Sequence, residues 1–389
     1  MRPSFPLSTL PLPLAQVKIV SPRSAIRTPA PASPRPDVSI IIPARNEEAN
    51  LCVCLESLNG QTGVRFEIIV VDDASTDRTR EIAQSFAGVQ VVSPGPLPDN
   101  WTGKNNALIA GAKAARAPWL LFTDADTVHQ PASLARALAE AKKEQAGLLS
   151  YSPKQVVVTF TERAVMPVIF AALAAQYPPH KVRDHNSKIV AANGQYILVR
   201  RAAYDAVGGH AAVAEEILED VALARLFRNA GHRVYFRYAA DAVRTRMYRN
   251  WRQLREGWTK NLALLFPHPE FLACKTVLWW FAAWGSLAFA MTAFAYRHWS
   301  LVFATVWLVD YVRISTARFT PANNLLAIAA GPPVFAYLLL RSKQAHARGQ
   351  VSWKDRVYGT GARNDEATDG KQPAKCIPRI EKQDFRTES

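Results

Sequence analysis

The sequence predicts an α/β fold, a mainly parallel sheet with helices on both faces, followed by a helical region suited to a membrane. Two observations carry this. From Val38 onward, short β-branched runs alternate with helical patterns (VSIII, NLCVCLESL, FEIIVV, DRTREIAQSF, VQVV), and continuously apolar strands are those buried on both faces. In the C-terminal third, apolar stretches at about 276–296, 299–317 and 325–340 bracket the roughly 20 residues a spanning helix needs.

Residues 1–36 hold nine prolines and five basic residues but no acid, and the prolines interrupt each apolar run before a signal-peptide core can form. They read as a disordered basic leader. The α/β domain is expected over 37–270, with a further strand, WLLFTDAD, after the helical segment NNALIAGAKAARA. Within it AVMPVIFAALAAQY, from Ala164 to Tyr177, is too short to span and reads either as a helix lying in a membrane interface or as core. Residues 271–345 are expected to form two to three membrane helices. The first stretch is free of charge, the second holds Asp310 and Arg313, and the third contains Pro332 and Pro333. A polar tail, 346–389, is expected to be disordered. Positive flanks conflict over orientation. Arg313 and Arg318 lie in the second loop, and Arg341, Lys343, His346 and Arg348 follow the third stretch. With the α/β domain in the cytoplasm, either the span count is even or the charge rule is overridden.

Lysine and arginine number 47 against 32 acids, a net charge of +15 that attracts polyanions. No zinc finger or RNA-binding sheet motif accompanies it, and arginines crowd around the apolar third, so phosphates and a lipid surface are the expected partners and nucleic acid is not. The four cysteines, Cys52, Cys54, Cys274 and Cys376, form no CxxC pair, which excludes a zinc ribbon or disulfide framework and fits a reducing cytosol.

Candidate chemistry gathers at strand ends, which in open α/β sheets form the ligand crevice. The first strand ends in Pro43-Ala44-Arg45-Asn46-Glu47 and the second in Asp72-Asp73. GxGxxG is absent after the first strand, which disfavours a nicotinamide dehydrogenase. A third strand ends in Thr123-Asp124-Ala125-Asp126. Two carboxylates one residue apart can hold a hard cation that bridges diphosphate oxygens, although an isolated Asp-x-Asp more often caps a helix. Lys104, at a Gly-preceded helix start, reads as a phosphate contact or a solvated lysine. Glu219 and Asp220 precede the helical run VALARLFRNAG, where they would cap the helix or, for Asp220, take a proton from an attacking hydroxyl.

PARNE, VVDDASTD, GKNNAL, TDAD, GQYILVRRAAYDAVGGH and LED, in that order over about Val38 to Leu265, resemble family 2 glycosyltransferases, which have the GT-A fold. The layout, the EGWTKN segment and VSWKDRVY look most like the branch containing carotenoid- and hopanoid-associated transferases. The resemblance implies that Pro43, Arg45, Glu47 and Asp73 hold the base and ribose of a nucleotide-sugar, foremost a UDP-sugar, with Lys104 assisting. It implies that Asp124 and Asp126 hold the donor and its Mg²⁺ or Mn²⁺, and that Asp220 is the base of an inverting transfer. The Gln-x-x-Arg-Trp of processive members is replaced by Trp251-Arg252-Gln253-Leu254-Arg255-Glu256-Gly257-Trp258, so transfer of a single sugar is expected. Trp258 then reads as a stacking platform or an interfacial anchor, with Glu219 and Arg255 as acceptor or diphosphate contacts. The expected acceptor is a lipid or isoprenoid, and the expected location a bacterial inner membrane, multi-pass, with the catalytic domain cytoplasmic. The alternatives are a polysaccharide-forming enzyme and a catalytically inactive nucleotide-binding membrane scaffold.

Overall fold

The computed structural model describes residues 35–292, 297–353 and 356–358. The expected leader, save its last two residues, and the tail beyond residue 358 lie outside them. The chain opens with β1 (Val38–Ala44), α1 (Leu51–Asn59), β2 (Phe66–Asp72), α2 (Thr79–Ser85), β3 (Val89–Val92), α3 (Gly103–Ala114) and β4 (Trp119–Thr123). It continues through β5 (Thr127–His129), α4 (Ser133–Lys143), β6 (Ala146–Ser152), β7 (Lys154–Gln155), α5 (Phe160–Gln176), α6 (Pro179–Arg183) and β8 (Tyr196–Arg200). Then come α7 (Arg201–Ala206), α8 (Glu219–Asn229), β9 (Arg233–Tyr238), β10 (Val243–Thr245) and α9 (Trp251–Leu265). The C-terminal helices are α10 (Pro269–Thr292), α11 (Arg297–Ser315) and α12 (Pro321–Ala347), followed by β11 (Val351–Trp353) and β12 (Arg356–Tyr358).

Seven strands form one sheet in the order β3-β2-β1-β4-β8-β6-β9. The first four are mutually parallel, and β8 runs antiparallel to both β4 and β6. The expected α/β class with a mainly parallel centre is present. Successive side chains of β1 feed opposite faces, as strand geometry requires. Ile40 and Ile42 join Leu51, Leu55 and Leu58 of α1 in one core, whereas Ile41 joins Ala107 and Leu108 of α3 in the other. A Cβ on Gly111 would collide with Ile41, so glycine is what lets α3 approach β1 so closely. That approach brings the N-terminus of α3 to the carboxyl end of the sheet.

A third apolar cluster joins Val165, Val168 and Ile169 of α5 to Leu254, Trp258 and Leu262 of α9 and to Ile328, Phe335 and Leu339 of α12. Two described helices, Pro269–Phe289 and Pro321–Ala347, are long and apolar enough to cross a membrane. They differ in surroundings. The window in α10 is 17% buried and exposes Phe271, Leu278, Phe281 and Phe289, whereas that of α12 is 50% buried. In α11 the charges of the second stretch pair with each other, Arg313 Nη2 lying 2.8 Å from Asp310 Oδ1.

Candidate active site

Two cavities meet at one cluster of charges. The larger, about 710 Å³, opens at the carboxyl ends of β1, β2 and β4 and is roofed by α9. The smaller, about 190 Å³, lies between α5, the start of α8 and α9, and has an apolar wall of Phe170, Leu173, Tyr177, Trp258 and Leu265. Both are lined by Lys104, Asp124, Gln195, Met247, Lys260 and Asn261.

The floor of the larger cleft is built by the strand ends. Where β1 and β2 stop, their loops lock together. Asp73 N donates to Ala44 O at 2.9 Å, Arg45 Nη1 to Asp73 O at 2.9 Å, and Glu47 N to Thr79 Oγ1 at 2.7 Å. The turn after β4 is pinned from beneath. Thr127 Oγ1 donates to Asp124 O at 2.7 Å and Thr245 Oγ1 to Asp126 O at 3.1 Å, which aims both carboxylates into the cleft. The helix-capping alternative for Asp124-Ala125-Asp126 does not apply, since the turn joins β4 to β5. Buried His129 sits under it, its pKa pushed down by burial to about 3, so it is a neutral structural group.

Lys104 owes its position to the first turn of α3. Thr102 caps the helix, its hydroxyl accepting from Asn105 N at 3.2 Å. The Asn105 side chain donates to Val213 O at 2.9 Å and Ala214 O at 3.0 Å, tying the helix start to the segment that leads into α8. Lys104 Nζ thereby lies 2.9 Å from Asp124 Oδ1 and 2.8 Å from Glu219 Oε1. It is an ammonium bridging two carboxylates, not a solvated lysine. Burial opposes its charge, but Asp124 and Glu219 outweigh that and hold its pKa well above the ordinary lysine value.

Neither acid at the start of α8 caps the helix in the usual way, for the cap position is Leu218 and makes no side-chain bond. Glu219 turns to Lys104. Its pKa is lowered because, although burial pushes upward, Lys104 and then Lys260 pull it down. Asp220 Oδ2 accepts from Gly194 N and Oδ1 from Val221 N, both at 2.8 Å. Burial, reinforced by the neighbouring Glu219 charge, raises its pKa to about 6, close to the value wanted of a base working near neutrality. A Cβ on Gly194 would stand 3.1 Å from Lys104 Nζ and 3.2 Å from Glu219 Oε1, so a side chain there would press on the cluster.

Every residue expected at the donor site, Pro43, Arg45, Glu47, Asp73, Lys104, Asp124 and Asp126, lines the larger cleft. Glu219, Asp220 and Trp258 line the smaller one. Trp258 is not an interfacial anchor. It is 3% exposed, its Nε1 donates to Met166 Sδ at 3.3 Å, and it packs edge-on to Phe170 and Tyr248. Arg255 lines neither cavity. The face of α9 toward the cleft carries Arg252, Gln253, Glu256 and Lys260 instead, joined by Arg246 and Arg249 from the preceding loop. Helix α5 follows the core reading over most of its length. Its stretch from Ala164 to Ala171 is core, and Leu173 and Tyr177 beyond it wall the smaller cavity.

Among the described residues no group of three or more His, Cys, Asp or Glu could hold a metal ion. Asp124 and Asp126 thus offer oxygen donors without a full coordination shell. That donor set suits a hard divalent cation that keeps water and takes its remaining ligands from a diphosphate.

Residues 39–208 match the family model for glycosyl transferase family 2. The chain carries a glycosyltransferase family 2 domain. The chain is 29% identical over 341 residues to a 4,4'-diaponeurosporenoate glycosyltransferase of Staphylococcus aureus strain MRSA252, a match covering 82% of this chain and 88% of that one. The protein of the same description in strain USA300 is 28% identical over 338 residues, with the same shares covered. Among solved structures, a mannosyltransferase from Pyrobaculum calidifontis in complex with GDP-Man and Mn²⁺ covers 82% of this chain and 90% of its own at 18% identity, with a TM-score of 0.45. TarS of S. aureus covers 60% of this chain and 39% of its own at 19% identity, with a TM-score of 0.41. The chain is a nucleotide-sugar-dependent glycosyltransferase, and its mixed sheet is of the α/β kind that the GT-A resemblance implied.

Proposed function

We propose that this glycosyltransferase moves one sugar from a nucleotide-sugar, foremost a UDP-sugar, to a lipid or isoprenoid acceptor bearing a hydroxyl or carboxyl group. The observation that carries this is the junction of the two cavities, where a polar cleft and an apolar chamber share Lys104 and Asp124 and Asp220 faces the chamber side. The cleft takes the donor. Pro43, Arg45, Glu47 and Asp73 line the part of the cleft where the base and ribose would lie, and Lys104 would stand beside the diphosphate. Asp124 and Asp126 would hold Mg²⁺ or Mn²⁺, which when bound stabilises the charge developing on the departing nucleoside diphosphate.

The chamber takes the acceptor. Asp220 receives the acceptor's proton as its oxygen attacks the anomeric carbon, and attack from the face opposite the leaving group inverts that centre. Gly194 N and Val221 N keep the carboxylate aimed, and Lys104 steadies the negative charge on both sides of the junction. A small apolar chamber suits a single hydrocarbon chain with one reactive end, as in the relatives whose name specifies diaponeurosporenoate, better than a growing polysaccharide. The exposed apolar faces of α10 and α11 suit membrane residence, here assigned to the bacterial inner membrane with the catalytic domain cytoplasmic.

The test is transfer by purified protein in lipid nanodiscs supplied with UDP-, GDP- or dTDP-sugars, Mg²⁺ or Mn²⁺, and extracted bacterial lipid. A metal-dependent product bearing one sugar is expected. Donor binding without turnover would instead support a catalytically inactive scaffold, and products bearing sugar chains would support a polymerase.

A further inference from the structure

The mouth of the larger cleft is crossed by an arginine side chain. Arg249, in the loop between β10 and α9, belongs to the roof, whereas Ala49 and Asn50, just before α1, belong to the floor, and all three line the cleft. The Arg249 guanidinium joins the two walls, Nη2 donating to Ala49 O at 3.1 Å and to Asn50 Oδ1 at 2.7 Å. Arg249 and Ala49 are exposed, which puts the bridge at the solvent edge of the cleft rather than in its depth. Its two ends come from opposite ends of the α/β domain, so no local preference of the chain places the arginine there.

Both ends of the bridge are keyed to the site. At the floor Asn50 is used twice, its Oδ1 accepting from Arg249 and its Nδ2 donating to Glu47 Oε2 at 2.8 Å. A line of hydrogen bonds thus runs from Arg249 to the carboxylate of Glu47. At the roof Arg249 N donates to Gln253 Oε1 at 2.9 Å, while Gln253 N donates at 3.0 Å to Asn250 Oδ1, the cap of α9. The arginine backbone is thereby fastened to the first turn of α9, the helix that roofs the cleft and carries Trp258 into the wall of the chamber. An arginine suits the task because one terminal nitrogen has two hydrogens for two acceptors and its charge persists at every working pH.

We propose that Arg249 is a strap across the donor cleft, which ties the start of α9 to the floor, steadies Glu47 through Asn50 against the nucleoside, and slows escape of the nucleotide. This rests on reading the larger cleft as the donor site. Arg249 is a positioning residue that acts through Asn50 and Glu47 and touches no reacting atom. Both acceptors of the bridge are neutral and lie at the solvent edge, so water can take their place when the strap opens to admit a donor, and no buried charge is left unpaired. The consequence is retention, the nucleotide-sugar staying bound while an acceptor is found.

Nucleotide release decides the matter independently of turnover. The full chain in nanodiscs is loaded with UDP, GDP or dTDP and Mn²⁺, and release is followed by stopped-flow tryptophan fluorescence, with Trp251 on the first turn of α9 as a reporter. Arg249→Met and Asn50→Ala should each speed release about five- to tenfold, with association little changed, as loss of a hydrogen bond to a charged group implies. Adding Arg249→Met to Asn50→Ala should bring little more, because both act through one bridge. Arg249→Lys should recover part of the retention. Melting temperatures should stay within about 2 °C of wild type, since the arginine is exposed. Release at the wild-type rate in Arg249→Met, fully additive effects in the double variant, or a loss of melting temperature that tracks the loss of retention would overturn the strap. A wild-type protein that binds none of the three nucleotides would overturn the donor reading itself, and the strap with it.

Discussion

The cleft proposed for the donor and the chamber proposed for the acceptor share a wall yet are built by opposite means. The cleft is made from strand ends, where backbone geometry delivers polar side chains to one edge of the sheet. The chamber is made from helix faces, where α5, α8 and α9 must pack before any residue has a place in it. Donor recognition should therefore tolerate changes in α5 and α8, which do not line the cleft, whereas acceptor recognition should respond to distant packing. Lys104 and Asp124 are among six residues that belong to both, with Gln195, Met247, Lys260 and Asn261.

Asp220→Asn gives the sharpest separation. Turnover should fall by about 10²–10⁴-fold, the usual worth of a general base, with nucleotide affinity within about twofold of wild type by calorimetry. Unchanged turnover would remove Asp220 from the mechanism. The same group sets the pH profile. Its pKa is raised to about 6, so the ionised base is present above that value and lost below it. Rates should fall as pH drops through about 6 and level off above, with the step absent in Asp220→Asn.

Lys104→Met should break the comparison, since its ammonium touches Asp124 on one side and Glu219 on the other. Steady-state kinetics should show losses of about tenfold or more for donor and acceptor alike. A change confined to one substrate would assign the lysine to one cavity. Gly194→Ala comes next. The added methyl presses on Lys104, Glu219 and Asp220, so kcat should fall about tenfold with little change in melting temperature. Leu173→Ala should act on the chamber alone, raising acceptor KM several-fold through lost apolar contact, with donor KM unchanged.

The same division governs what could be read from the sequence. Pro43, Arg45, Glu47, Asp73, Asp124 and Asp126 were legible because apolar strands announce their own ends, and an acid just beyond such an end has one place to go. The face of α9 was not. Arg252 and Arg255 lie one turn apart, and only packing against α5 and α12 decides that Arg252 looks into the cleft. Lys260 stands in the EGWTKN segment that contributed to the family resemblance, but nothing local marks its side chain as reaching the junction. Gly194 is a similar case. It opens the GQYILV stretch that contributed to the resemblance, but its role depends on Lys104 and Glu219 arriving from elements far apart in sequence, which the stretch itself does not announce. Trp258 misled because tryptophans gather both at bilayer boundaries and in cores, and composition does not separate the two.

The seat of α12 limits how the enzyme can be handled. A Cβ on Gly331 would strike Ala164 O, so this helix lies directly on α5, and its Phe335 and Leu339 complete the core that holds Trp258. A protein cut after Leu265 would lose that filling, leaving Val165, Val168 and Leu262 facing water on the segments that shape the chamber. Proteolysis at that point should therefore release an inactive, aggregating fragment rather than a soluble transferase, and catalysis can be supplied only where the whole chain can reside.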